Sequence, residues 1–415
     1  MSQSIQESIY LIFSNVLFLI PLLYYLIKIK RLNELLYIFI IWFLFSIFSV
    51  LYNSSNAAYS SYKSTITLAP IIYIYVCFLI TVSPLFKINS NNIQYIKSPS
   101  NLFLYIIYFI SIIAYLPFIE NIFHLLTSGF SNFGSIYESR DNLDFDPRAH
   151  MSFLGARFNS ILIWMQFVTP SFLFIYLSKF KVNIIIAIGL IFAAFNSSIL
   201  GLCSGSRGIA TATILNVAYC YLLFKNFLPI FINKIIRLSL LFIGTLFVLG
   251  LFWATLSRFG DHGIYNSDNT ILDWIYRYLG EGLVNFYKDG WSTTSFTNGQ
   301  NSFYQLFGDK RNIMLLEKIT HIRMYVFYTS FGDLLIDFGP FATLLILLSI
   351  AFLIRRISIR KGCINPFDLV YINLYSYSIF MGLFTFSYIN STYILIFSII
   401  ITYILKIQVK YNFHG

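Results

Sequence analysis

Charge is scarce in this sequence. Only 11% of its 415 residues are Asp, Glu, Lys or Arg, less than half the ~25% usual for a soluble domain. That is too few to cover a globular surface of this size, so a soluble enzyme and a disordered tail are both excluded. Cysteine is also scarce. The four residues Cys77, Cys203, Cys220 and Cys363 lie in or beside apolar stretches, and no two share a loop. A disulfide framework and a CxxC metal site are therefore excluded. The five histidines, His124, His150, His262, His321 and His414, show no HExxH or paired spacing. The first apolar stretch lacks a basic leader and an A-x-A site, so it reads as a first membrane span rather than a cleaved signal.

Hydrophobic residues are present in excess, at 58% against the usual ~45–50%. Apolar runs of 18 residues or more recur, each long enough to cross a bilayer core of ~30 Å. The expected fold is all-α, a polytopic bundle of about eleven transmembrane spans. They are placed at roughly 8–27, 34–52, 66–86, 102–119, 158–178, 183–202, 208–224, 237–256, 331–353, 367–386 and 390–408. Three sections follow: 1–256, with eight spans and a long loop at 120–157; a second long loop at 257–330, partly helical; and 331–415, with three spans.

The net charge of +11 has a topological explanation. One alternating set of connecting segments, from Lys28–Arg31 through Arg355–Lys361 to Lys406 and Lys410, holds 16 basic residues and only the acids Glu34 and Asp368. It carries +14, the opposite set −3. The positive side is cytoplasmic by the positive-inside rule. This puts the N-terminus outside and the C-terminus in the cytoplasm, with the chain in the inner (cytoplasmic) membrane. No surplus charge remains to argue for nucleic acid. Both long loops face outward, and long loops commonly carry function.

Eight of the thirteen arginines fall on that outer side: Arg140, Arg148, Arg157, Arg207, Arg258, Arg277, Arg311 and Arg323. Guanidinium is a permanently charged fork that matches phosphate oxygens, which suggests a diphosphate-bearing lipid at the outer interface. The plainer alternative is pairing with the 15 outer acids. From Thr270 to Lys288 apolar residues recur at helical spacing, and Asp273, Arg277, Glu281 and Asn285 form a polar stripe. An amphipathic helix on the membrane surface is expected there, with Arg277 binding phosphate and Glu281 orienting it or acting as base; simple i,i+4 pairing is the alternative. His262 and His321 flank the large loop near the membrane plane, where either could take a proton from a sugar hydroxyl. Asp144-Phe145-Asp146 spells DxD, a pattern that can hold a divalent cation. The first outer loop, 53–65, contains no acid.

Two stretches carry a resemblance. Ser204-Gly205-Ser206-Arg207-Gly208, and Asp333 to Gly339 with its Asp-Phe-Gly ending, resemble segments of the Wzy-type oligosaccharide repeat-unit polymerases of O-antigen and capsule synthesis. The motifs cover about twelve residues, and the span and loop layout covers the whole chain. The paired Arg-x10-Gly or Arg-x15-Gly patterns of some members are not reproduced, since only Arg323 and Gly339 have such a spacing. The resemblance implies a membrane glycosyltransferase. It would join a growing glycan on a polyprenyl diphosphate to one new repeat unit on the same carrier, within the membrane lipid, without cofactor or resident metal. A chain-length regulator protein is a further partner such an enzyme could have. Arg207, Arg277 and Arg323, with Arg258 and Arg140, would bind the departing diphosphate. His321, His262 or Glu281 would accept the proton. An O-antigen-ligase-like transferase and a lipid-linked oligosaccharide flippase are the alternatives. The flippase calls for charged residues along a central path, and the span cores hold almost none.

Overall fold

The computed structural model describes residues 3–29, 32–55, 62, 64–88, 93–129, 146, 148–204, 206–259, 271–308, 310–357, 362–386 and 388–409. Helices dominate: α1 (Gln3–Ile29), α2 (Glu34–Asn53), α3 (Leu68–Val82), α4 (Asn101–His124), α5 (Phe153–Met165), α6 (Thr169–Lys179), α7 (Ile184–Cys203), α8 (Arg207–Phe224), α9 (Ile230–Phe259), α10 (Ile271–Lys288), α11 (Ile313–Thr320), α12 (Thr329–Arg355), α13 (Pro366–Phe380) and α14 (Thr392–Ile407). The strands described are β1 (Tyr95–Ile96) and β2 (Cys363–Ile364), paired in parallel.

Among the described residues, seven helices are long and apolar enough to cross a membrane: Ile5–Lys28, Glu34–Asn53, Leu68–Phe86, Asn101–Thr127, Ile184–Cys203, Gly208–Phe227 and Thr329–Arg355. Each coincides with one of the expected spans. The expected span at 158–178 is instead two helices, α5 and α6, bent by 81°. Pro170, in the first turn of α6, fits this break, because proline has no N–H to donate back to α5. The other three expected spans fall on α9, α13 and α14.

The chain forms two compact units. The first comprises residues 1–89, 268–358 and 375–393. Its core is aromatic: Trp42 packs on Phe78 and Phe331 at ring distances of 4.9 and 5.5 Å. The Trp42 indole donates to the Ile379 carbonyl at 3.1 Å, which satisfies its one polar atom. Helix α10 lies against α2. Gly280 makes this approach possible, since a Cβ there would sit 2.3 Å from the Phe48 carbonyl oxygen. Leu283, Val284, Phe286 and Tyr287 are buried on it, so the second half of α10 is internal, while Leu272 is exposed and Trp274 to Leu279 are half-buried in the first.

Helix α12 changes direction within its length. Gly339, at φ +78°, breaks the helical geometry just before Pro340. Everything from Thr329 to Ile336, and Asp337 too, is buried. The Asp337 carboxylate accepts from Thr297 Oγ1, from Asn301 N at 3.0 Å and from Ser302 N at 2.9 Å. Asp333 accepts from Asn301 Nδ2 at 3.3 Å, Thr385 Oγ1 at 2.5 Å and Phe386 N at 2.7 Å. These carboxylates pin the turns at 297–302 and 384–386 onto α12. The Asp-Phe-Gly segment is therefore a structural joint here, with its acids occupied by donors.

The second unit comprises residues 90–267, 359–374 and 394–415. In it α4 packs along α7, and Phe103, Phe172 and Phe367 form an edge-on aromatic cluster. Asparagines bridge its helices: Asn121 Nδ2 donates to Asn196 Oδ1 at 3.3 Å, and Asn196 Nδ2 to Asn159 Oδ1 at 2.6 Å. Lys406 pairs with Asp368 at 2.5 Å, joining α14 to the start of α13.

Candidate functional site

The polar stripe of α10 faces the interior of the first unit and assembles a charged cluster. Arg277 Nε binds Glu281 Oε2 at 3.1 Å, and its guanidinium stacks 5.2 Å from the Trp274 ring. Four residues further, Asn285 accepts from the Tyr62 hydroxyl at 3.1 Å and donates to the Phe327 carbonyl at 3.2 Å. Tyr62 in turn bonds Tyr52 at 3.3 Å. The next turn brings Asp289, whose Oδ2 accepts from Arg323 through Nη2 at 2.6 Å and Nε at 3.0 Å. Lys288 binds Glu7 at 2.9 Å. The Tyr62 ring faces both Lys288 Nζ, 4.6 Å from its centroid, and Arg323, 4.9 Å away. Three cations and three carboxylates thus surround two tyrosines.

Burial decides the electrostatics. Glu281 is buried, which pushes its carboxyl above the ordinary value of 4.5. Arg277, by charge and hydrogen bond, and Arg323, by charge alone, oppose that rise without cancelling it. A carboxyl so placed sits closer to neutrality and can exchange a proton there. Burial raises the Tyr62 hydroxyl as well, so it stays protonated and acts as a donor.

The proposed residues meet different fates. Glu281, Arg277 and Arg323 share this cluster. Both arginines pair with acids, as the plainer alternative held, and both keep some exposure, with side chains 28% and 16% accessible. His321 is exposed and lies in the left-handed region at φ +57°; its N–H donates to the Glu317 carbonyl at 2.8 Å, closing α11. No hydrogen bond or ion pair to its ring is found among the described residues, so its position is that of a helix cap. His262 and Arg140 lie outside the described residues, as do the side chains of Arg207 and Arg258. The backbone places Arg207 at the start of α8, after a turn in which Ser206 N donates to the Gly201 carbonyl at 2.8 Å. Asp144 is outside the described residues; Asp146 pairs with Arg148 at 3.2 Å.

Asp289, Tyr62, Tyr52, Lys288 and Glu7 were not anticipated. Asp289 had a signal, since it continues the four-residue stripe of Asp273, Arg277, Glu281 and Asn285. Tyr62 had none. In the second unit His124 and His150 stack at 4.0 Å with an interplanar angle of 7°. His150 Nε2 lies 2.9 Å from Asn121 Oδ1, an acceptor, so that ring nitrogen carries the proton. Burial, and then His124, lower the His150 pKa, while Glu120 and Asp146 oppose the fall.

No family model, curated protein or solved structure matches the chain.

Proposed function

We propose that the chain is a membrane glycosyltransferase that polymerises polyprenyl-diphosphate-linked oligosaccharide repeat units on the outer face of the cytoplasmic membrane. The observation that carries this reading is the buried Glu281 carboxyl with its raised pKa, hydrogen-bonded to Arg277 and within electrostatic reach of Arg323. In the reaction the acceptor sugar hydroxyl attacks the anomeric carbon of the donor glycan. The C–O bond to the lipid diphosphate breaks, and its electron pair stays on the diphosphate. Glu281 takes the hydroxyl proton. That step also removes one negative charge beside Arg277, which raises the guanidinium's field at the diphosphate as charge develops on it. Base and electrophilic stabiliser are thereby coupled through one 3.1 Å contact. Asp289 holds Arg323 in position.

The test is glycan length. Cells carrying Glu281→Gln or Arg277→Ala at normal expression should display single repeat units in place of long chains. Full-length polymer from both variants would end the proposal.

A further inference from the structure

Helix α11 has an outward apolar face where the large loop would ordinarily be polar. Leu316 and Thr320 face inward and are buried, whereas Ile313, Met314 and Leu315 are 37%, 84% and 47% exposed. Leu306 and Phe307, just before it in the chain, are exposed as well. Lys310 and Lys318 flank this run, both exposed. The helix is firmly held from behind. Arg311 donates to Asn301 Oδ1 at 2.7 Å and to the Met324 carbonyl at 3.2 Å, and the Glu317 carboxylate accepts from Met324 N at 2.8 Å. The exposure therefore belongs to a fixed element, and Arg323 is the neighbour of the residue that fixes it.

We propose that α11 docks into the outer leaflet of the bilayer, with Met314 and its neighbours among the lipid chains and Lys310 and Lys318 on anionic lipid headgroups. An apolar face bounded by lysines suits that boundary, where acyl chains meet phosphates. The chain already carries helices long enough to cross a membrane, so the leaflet is at hand. Docking holds α11, and through Met324 the Arg323–Asp289 pair, near headgroup level. The benefit to a lipid-diphosphate substrate rests on the transferase reading; the docking does not.

Depth-dependent quenching tests it. A fluorophore on Met314→Cys is read in proteoliposomes containing phosphatidylglycerol, with the signal of labelled wild type subtracted for the four native cysteines. Lipids with a shallow nitroxide should quench it at least twofold more than aqueous iodide does. Adding Lys310→Gln and Lys318→Gln should bring the lipid quenching down to its value in phosphatidylcholine alone. Iodide quenching that exceeds lipid quenching overturns the docking. Equal lipid quenching in the two membranes overturns the role of the lysines. Neither reading involves sugar transfer, so a failure here is distinct from a failure of the polymerase assay.

Discussion

The Asp289–Arg323 pair gives the sharpest energetic test of the cluster. Both bonds converge on one carboxylate oxygen, at 2.6 and 3.0 Å, and the side chains are only 2% and 16% exposed. Changing Asp289→Ala removes the carboxylate that takes both guanidinium bonds, in a site that is largely closed to water. Breaking a buried pair from one side costs about 3–5 kcal/mol, because the remaining charge loses its hydrogen-bonded counter-ion. For a unit of this size that corresponds to a fall in Tm of roughly 6–20 °C. Replacing both partners, Asp289→Leu with Arg323→Met, removes the guanidinium as well and should recover at least half of the loss. The assay suits this protein. Cys77, Cys203 and Cys220 are buried, so a thiol-reactive dye reports unfolding in detergent. A fall below 2 °C for Asp289→Ala would refute the reasoning and show the pair to be screened by solvent.

Three further outcomes are expected. Glu281 has a folded pKa above its unfolded one, so its charged form opposes folding. Wild-type stability should therefore fall as pH rises from about the ordinary carboxyl value of 4.5 through the folded pKa, and Glu281→Gln should flatten that slope in the same dye assay. If the raised carboxyl is the base, the polymerisation rate should rise with pH across that window, with its inflection above 4.5, when single-turnover rates are measured between pH 4.5 and 8. Asp337→Ala leaves the N–H groups of Asn301 and Ser302 without their acceptor, at about 1–3 kcal/mol each, so it should lower Tm more than Asp337→Asn does.

Much of the helical layout was legible in the sequence, because each long apolar run has to satisfy its backbone internally and does so as a helix. What hydropathy could not tell was which side of a helix meets protein. The period-four stripe of α10 is the same whether it faces water or a partner with polar groups. Contact with α2 at Gly280, and with Tyr62, is what turned it inward. The Asp-Phe-Gly segment falls near the start of the expected span at 331–353. The donors of residues 297–302 that occupy its carboxylates come from a loop with no periodic pattern to announce them. Glu281 and Arg277 were recognisable as a pair from spacing alone. The Arg323–Asp289 pair and the His124–His150 stack join residues 34 and 26 positions apart, and only the fold brings these together.

The most direct test uses purified protein reconstituted with a polyprenyl-diphosphate-linked oligosaccharide, reading product length and released lipid diphosphate together. The expected result is a ladder of repeat units with one diphosphate released per linkage, and neither product from Glu281→Gln. A Glu281→Gln protein that builds the same ladder at the wild-type rate would contradict the assignment of sugar transfer to this carboxyl and its arginine.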